Sequence, residues 1–479
     1  MNGADALLQT FVANGVTACF ANPGTSEMQF VSALDREPAM RSVLCLFEGV
    51  ATGAADGYGR VAGKPACTLL HLGPGYGNGL ANLHNARRAY TPVVNVIGDH
   101  ATYHRQYDAP LNSDIPAIVG PNSIWVKSAD SPDAVGGLAA EAVAASFGPP
   151  GGPVSLILPA DSAWSPASGK GPVADLPIRP APDGNLVYGV AERIRAAKKP
   201  LLLISGELTS ARGLALVARI EAAGVRVMTA GFTAKQARGA GRFLPARMAY
   251  FAEQALDDLA GTDLMVLAEA KLPVAFFAYP DRASVLVPEG CVVETLCDVG
   301  GDGLAAIEML AEALGAPKDG PASEHKLPDA PSGPVTAGTV GASFARHLPE
   351  GAIVSDDGVT SSAGAAGYGA KAAPHDWLSL TGGAIGQGMP VAVGAAVAAP
   401  DRKVISLNGD GAAMYTVQSL WTMARENLDV TVIVFANHVY RILSIELDRT
   451  GAGNAGPAAS RLLDLGDPRI DWVSMARGM

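Results

Sequence analysis

The sequence predicts an α/β protein built as three doubly wound parallel-sheet domains. Short apolar runs alternate with longer amphipathic stretches along the chain, the pattern of strands buried on both faces by crossover helices. The alternation falls into three blocks, separated by Pro/Gly-rich polar linkers at about Ser165 to Asp183 and Ala316 to Pro334. At 479 residues and 48% hydrophobic content the chain can fill about three cores, on a prior of ~150 residues per domain. The expected domains are 1–165, 184–315 and 335–479. The 56 glycines and 34 prolines then mark tight strand-helix turns, because no low-complexity repeat organises them.

Each block opens and closes on legible elements. The first begins with a helix around Asp5 to Asn14. An apolar run, Ser42 to Phe47, then leads into a small-residue helix starting at Glu48. A further strand ends at His71, just before Gly73-Pro74-Gly75, and the block closes on Val154 to Pro159. The second block opens with the strand Lys199 to Gly206 and ends near Gly315. In the third, Lys403 to Leu407 reads as a buried parallel strand, turned by Gly409-Asp410-Gly411 into a helix beginning near Ala413. A right-handed crossover returns the chain through a strand at Thr431 to Phe435, which brings Asn437 to the same sheet edge as Asp410.

Composition narrows the function. Net charge is −11 and no basic run appears, which argues against a nucleic-acid surface. Charged residues make up only 17% of the chain, as expected of a metabolic enzyme with large cores. The five cysteines (19, 45, 67, 291 and 297) lack Cys-x-x-Cys spacing, so neither a disulfide framework nor a zinc site is indicated. Apolar runs stop short of the ~18 residues needed to cross a bilayer, and no N-terminal signal is read. A cytoplasmic protein is expected.

The chemistry starts at Asp410 and Asn437. Two hard oxygen ligands at the carboxyl ends of neighbouring strands suit Mg2+, which completes its shell with waters and phosphate oxygens. The helix N-terminus beside them offers N–H groups to the same anion. A lone Gly-Asp-Gly is usually only a turn. The separation, 437 − 410 = 27, with Asn437-His438-Val439-Tyr440 at its end, resembles the cofactor motif of the thiamine-diphosphate (ThDP) enzymes of the decarboxylase and acetolactate synthase family. That resemblance implies Asp410, Asn437 and the Val439 carbonyl as metal ligands, with Gly409 and Gly411 against the diphosphate. Ala436 departs from it, since the family usually carries a first Asn there.

The same family is resembled near the N-terminus by Phe20-Ala21-Asn22-Pro23-Gly24-Thr25-Ser26-Glu27 and by the stretch from Phe47 to Arg60. Glu48 stands at a strand end among apolar neighbours, where a carboxyl is costly to ionise and favoured to share a proton with a ring nitrogen. The resemblance implies that it bonds N1′ of the cofactor's aminopyrimidine; otherwise Glu48 is a helix-start carboxylate. His71 aligns with the active-site His of benzoylformate decarboxylase, and Thr25 with its carboxylate-binding hydroxyl. Taken alone, His71 would be an ordinary core histidine. His100 and His104 follow a Gly98-Asp99 step where the family usually has Gly-Gln, and read as solvated-loop residues. In Leu380 to Pro390, counting back from Pro390, Ile385 matches the apolar wedge that bends the cofactor and Gly383 the carbonyl facing its 4′-amino group. An isolated Ile would be core. Thr360 matches a diphosphate contact or, more simply, a helix cap.

The resemblance is specific in the outer blocks and architectural in the middle one. It implies pyrimidine-binding, central and diphosphate-binding domains in that order, and a homodimer or homotetramer with active sites at the subunit interface. The implied activity is decarboxylation of a pyruvate-like 2-oxo acid with carboligation, as in an acetolactate synthase large subunit. Simple decarboxylation, as in benzoylformate decarboxylase, is the alternative. FAD is expected to be absent, because the central block has no Arg-Phe-Asp-Asp-type segment. Lys271 to Tyr279 stands in its place, with Ala278 where benzoylformate decarboxylase has a second His. Relatives run beyond the point matching Met479, so a C-terminally truncated last domain is expected, with a sheet edge or the substrate cleft left uncovered. Two rivals stand against this reading. A non-catalytic ThDP-fold protein sits poorly with Glu48, His71 and Ile385 together. A dinucleotide enzyme needs a Gly-x-Gly-x-x-Gly turn, and Gly73-Pro74-Gly75-Tyr76-Gly77 has the wrong spacing.

Overall fold

The computed structural model describes residues 1–453 and 455–479. Its strands form three sheets. The first runs Arg41–Leu44, Ala18–Asn22, Ala66–Leu70, Val93–Asp99, Pro153–Pro159 and Val126–Ser128 from edge to edge, all parallel. The second runs Ala246–Arg247, Arg226–Thr229, Pro200–Ile204, Leu264–Ala268 and Val292–Cys297, also parallel. The third places Val430–Phe435 at one edge, followed by Val404–Gly409, Ile353–Asp357 and His375–Ser379. At its other edge lies Gln236–Arg238, which pairs antiparallel with His375–Ser379. That strand departs from a purely parallel design, because it comes from between two strands of the second sheet and reaches across to the third.

The expected elements appear with shifted ends. The first helix is Gly3–Ala13, closed at its start by a capping box between Asn2 and Asp5. The strand before Glu48 is shorter than expected, Arg41–Leu44. The helix after the third-block strand begins at Asp410 itself, three residues before Ala413, because Gly409 is extended and leaves Asp410 in the first turn. The helix Gly303–Leu314 ends on Gly315 in the left-handed conformation.

The first and third sheets share one core. A single hydrophobic cluster joins Phe20, Val43 and Ile97 of the first to Ile353, Leu378 and Val404 of the third. The helices Glu48–Ala62 and Gly388–Ala398 build that junction. The second has every residue from Gly388 to Val397 buried, and a helix apolar all round must be covered on all sides. A Cβ on Gly57 would lie 2.1 Å from the Val391 carbonyl oxygen, and one on Gly394 1.8 Å from that of Ala54. Only glycine at both positions lets the two helices approach this closely. Because Glu48 starts one helix and the Gly382–Gln387 loop precedes the other, this packing fixes two candidate site segments against a common core. No helix among the described residues is long and apolar enough to cross a membrane.

Candidate active site

The N-terminal candidates form one cluster. Glu48 is the first residue of its helix and only 7% exposed, and its Oε2 accepts from Asn78 Nδ2 at 3.0 Å. Its Oε1 and the Cβ of His71 both lie 3.3 Å from the position a Gly75 side chain would take. Glu48 and His71 therefore flank the same glycine. Thr25 and His71 line one cavity of about 290 Å³. Glu27, which the sequence reading assigned no role, holds this cluster together. At 4% exposure its carboxylate accepts from Gly24 N at 2.7 Å, Ser26 Oγ at 2.6 Å and His71 Nδ1 at 2.8 Å. An Nδ1–H donated to a carboxylate fixes the tautomer and presents Nε2 outward. A Cβ on Gly24 would come within 2.2 Å of the His71 ring, so glycine there is a condition of the pair. The signal available in the sequence was Gly-Thr-Ser-Glu, a carboxylate three residues after the helix start. Glu27→Gln is expected to lower turnover at least tenfold with a smaller change in KM. Equal kcat in the variant would show that His71 needs no such partner.

The cofactor-loop candidates form a second cluster. Ile385 is half-buried and so is not a core residue, and Gly383 and Gly386 take φ of 79° and 95° around it. The loop is held from three sides. Asn85 bonds both the carbonyl and the N–H of Ala384, and His84 Nε2 meets the Gly382 carbonyl. Asp357 Oδ2 accepts from the N–H groups of Gly386, Gln387 and Gly388 at 2.8, 3.0 and 3.2 Å. Arg60 reaches the Ser379 carbonyl and Thr381 Oγ1 from the first domain. Phe276 of the central segment lies 2.7 Å from the Gly383 Cβ position, so Lys271 to Tyr279 borders this loop. Thr360 is half-buried in the turn after Asp357, next to Val359 at φ 49°, a strained conformation for a β-branched residue.

Burial pushes the Asp357 carboxyl up to about 7, against the pull of its three N–H donors. A carboxyl raised in the folded state stabilises it fully below its unfolded value of 3.8, and that stability is lost as pH rises through 7. Three units correspond to at most about 4 kcal/mol. Its second oxygen, Oδ1, and Asn408 Oδ1 are both buried without partners. Asp357→Asn is therefore expected to gain stability over the parent at pH 8 and little at pH 4. Urea midpoints that differ equally at both pH values would contradict this.

The third cluster surrounds Asp410, which is 2% exposed. Its Oδ1 accepts from Gly411 N at 3.0 Å and its Oδ2 from His438 N at 2.7 Å, which ties the Asn437 loop to the start of the helix. Asn437 is exposed, with its Oδ1 taking the Val439 N–H at 3.1 Å. The Val439 carbonyl accepts from Arg441 N at 2.9 Å and keeps a second lone pair. Among the described residues no Lys or Arg pairs with Asp410; the one ion-pair contact is His438 Nδ1 at 3.9 Å, a buried nitrogen without a hydrogen-bond partner. A buried carboxylate with no basic partner fits a cation. One carboxylate, one amide and one carbonyl leave room for phosphate oxygens, as Mg2+ prefers. No cluster of three His, Cys, Asp or Glu side chains, which would suit a transition metal, occurs among the described residues.

The Glu48 and Asp410 clusters sit on different sheets, and no hydrogen bond or ion pair among the described residues joins them. His100, expected to be solvated, has Nε2 buried in the wall of the His71 cavity, whereas His104 is exposed as expected. A groove of about 510 Å³ between the helix Ala337–His347 and the edge strand Val430–Phe435 shares no residue with these clusters.

Comparison with known proteins agrees with this layout. Residues 1–117 match the family model "Thiamine pyrophosphate enzyme, N-terminal TPP binding domain", and residues 357–479 its C-terminal counterpart. The chain is 51% identical over 484 residues to the "Putative acetolactate synthase large subunit IlvX" of Mycobacterium tuberculosis, covering 100% of this chain and 93% of that protein. It is 29% identical over 499 residues to the benzoylformate decarboxylase of Pseudomonas aeruginosa, covering 97% and 90%. Its fold superposes on the ThDP-dependent 4-hydroxybenzoylformate decarboxylase of Rhodococcus jostii RHA1 with a TM-score of 0.85, at 23% identity and over 100% and 93% of the two chains. The Glu48 cluster thus falls in the first matched domain and the Asp410 cluster in the second, and the chain belongs to the thiamine-diphosphate enzyme family, in the group of acetolactate synthase large subunits and benzoylformate decarboxylases.

Proposed function

We propose that the protein binds ThDP through Mg2+ held by Asp410, Asn437 and the Val439 carbonyl, and decarboxylates a 2-oxo acid with carboligation to an acetolactate-type product. Such a product would serve branched-chain amino acid synthesis. The observation that carries this is the juxtaposition of Glu48 and His71 across Gly75, a buried carboxyl beside an imidazole held by Glu27. When bound, the cofactor supplies the electron sink that lets CO2 leave. The chain's own residues do the rest. Glu48, desolvated at its helix start, holds the proton at the pyrimidine ring nitrogen. Thr25 offers a hydroxyl to the substrate carboxylate, and Ile385 and the Gly383 carbonyl would hold the cofactor's rings. Glu27 holds His71 so that Nε2 faces the cavity and can move a proton there.

That imidazole favours a second reading, in which protonation wins over ligation and an aldehyde leaves. Because the two clusters lie on separate sheets, we propose that they meet across a subunit interface in a homodimer or homotetramer. Incubation with ThDP, Mg2+ and a panel of 2-oxo acids, recording CO2, aldehyde and ligation products, tests the proposal. Ligation products support the first reading and aldehyde alone the second. No CO2 from any acid would sink both.

A further inference from the structure

The helix that continues the metal loop has little of its own to hold it. Arg441–Arg449 starts four residues after Asn437, is nine residues long and has no buried residue. A helix that short is marginal unless other segments anchor it. Among the described residues, the side-chain hydrogen bonds that tie it to another segment come from the middle block. Tyr279 donates to Glu446 Oε2 at 2.7 Å, and the Arg449 guanidinium pairs with both oxygens of Glu253. The same guanidinium lies over the Phe251 ring, 3.9 Å from its centroid, and 5.6 Å from that of Tyr279. A guanidinium paired at its edge and stacked on its face is held in one orientation.

Both anchors stand on the second sheet. Phe251 and Glu253 lie at the start of the helix Ala252–Leu259, whose Ala255 and Leu259 are buried with Leu201 and Met265 of that sheet. Tyr279 ends the segment that begins at Lys271, and this segment is one arm of a short hairpin. The Ala275 N–H donates to the Ser284 carbonyl at 2.8 Å and the Leu286 N–H to the Pro273 carbonyl at 3.0 Å, with Leu286 buried in the same core. Three residues before Tyr279, Phe276 touches the other cofactor-facing segment, since its Cζ lies 2.7 Å from where a Gly383 Cβ would stand. Its ring also packs on Phe232, Tyr250 and Phe277, at centroid distances of 5.5, 5.1 and 4.8 Å. One short segment therefore leans on the Gly383 loop at one position and on the metal-loop helix at another.

We propose that the segment from Lys271 to Tyr279 is a brace that sets the spacing between the Gly383 loop and the metal loop, with Phe276, Tyr279 and Arg449 as positioning residues for ThDP and Mg2+. This rests on the cofactor reading above and gives the middle block a task in it. A cofactor held by both segments senses any shift between them, and a misplacement of about 1 Å costs up to about 10²-fold. Neither segment is rigid alone: one is a glycine-rich loop and the other an exposed helix.

Two measurements on the full chain test the brace: ThDP titration at fixed Mg2+, and amide hydrogen exchange of the protein without cofactor. Arg449→Met should raise the ThDP Kd about tenfold, while Arg449→Lys, which keeps the ion pair, should retain part of the affinity. Phe276→Ala should weaken binding to a similar extent. Because both act through one segment, the double variant should lose less than the product of the two single losses. In the absence of cofactor, Arg449→Met should speed exchange at residues 382–388 as well as at 441–449, and Phe276→Ala should speed it at both places too. Faster exchange confined to the segment beside each substitution, losses that multiply in the double variant, or an unchanged Kd with only a lower urea midpoint overturns the brace. If the parent protein binds no ThDP, the cofactor reading fails on its own and exchange decides: coupled exchange at the two segments upholds the brace, and purely local exchange overturns it.

Discussion

A Glu48→Gln variant is expected to lose about 10² to 10⁴ in kcat for CO2 release while still binding ThDP and Mg2+. The amide matches the carboxyl in size, so the helix Glu48–Ala62 and the contact from Asn78 need little adjustment. What it cannot do is share a proton with a ring nitrogen. The site around Glu48 magnifies that difference, because at 7% exposure no water can substitute. ThDP affinity should change much less than kcat, since the metal end of the site depends on Asp410 and Asn437. A variant that kept full turnover would remove Glu48 from the mechanism. A variant that lost ThDP binding altogether would make it structural.

The largest expected effect on stability comes from Arg60. Its side chain is 1% exposed and paired with Asp56, itself 0% exposed, through two bonds of 2.5 and 2.8 Å. The remaining donors reach the carbonyls of Ser379 and Ala234, Thr381 Oγ1 and Gln387 Oε1, so one guanidinium touches segments of all three expected domains. Lysine could not reproduce that planar fork. Arg60→Met leaves Asp56 as an unpaired buried charge, which costs about 3–5 kcal/mol. It also releases the loop that carries Gly383 and Ile385. The double variant Arg60→Met, Asp56→Leu should regain most of the stability, because a buried ion pair replaced by apolar groups is often near neutral. It should not regain ThDP affinity. Recovery of both in the double variant would show that Arg60 serves stability alone.

These residues show where sequence legibility ends. Asp410 and Asn437 were readable because each sits in a strand-end turn whose partners are local, and their spacing is set by one crossover. Glu48 and His71 were singled out only through the family resemblance of their flanking residues, since their partners Asn78 and Glu27 lie 30 and 44 residues away. The helix start at Asp410 was misplaced by three residues, since Gly409-Asp410-Gly411 suits a turn as well as an N-terminus. Glu27, Arg60 and Asp357 carry little local signal. Their partners lie 44 residues away for Glu27 and His71, and 327 for Arg60 and Gln387. Asp56 and Arg60, four apart in a helix of small residues, were the one local hint. The antiparallel strand Gln236–Arg238 was invisible because its pairing depends on how the third sheet packs, not on its own three residues.

The central claim is that Glu48 and Asp410, distant in sequence, serve one cofactor. Titration of ThDP into the protein, with Mg2+ and with excess chelator, tests it most directly when repeated on Asp410→Ala and Glu48→Gln. One ThDP per chain is expected in the presence of Mg2+, with loss of tight binding on chelation or in Asp410→Ala, and retained binding without turnover in Glu48→Gln. ThDP bound equally well without metal and by Asp410→Ala would contradict it.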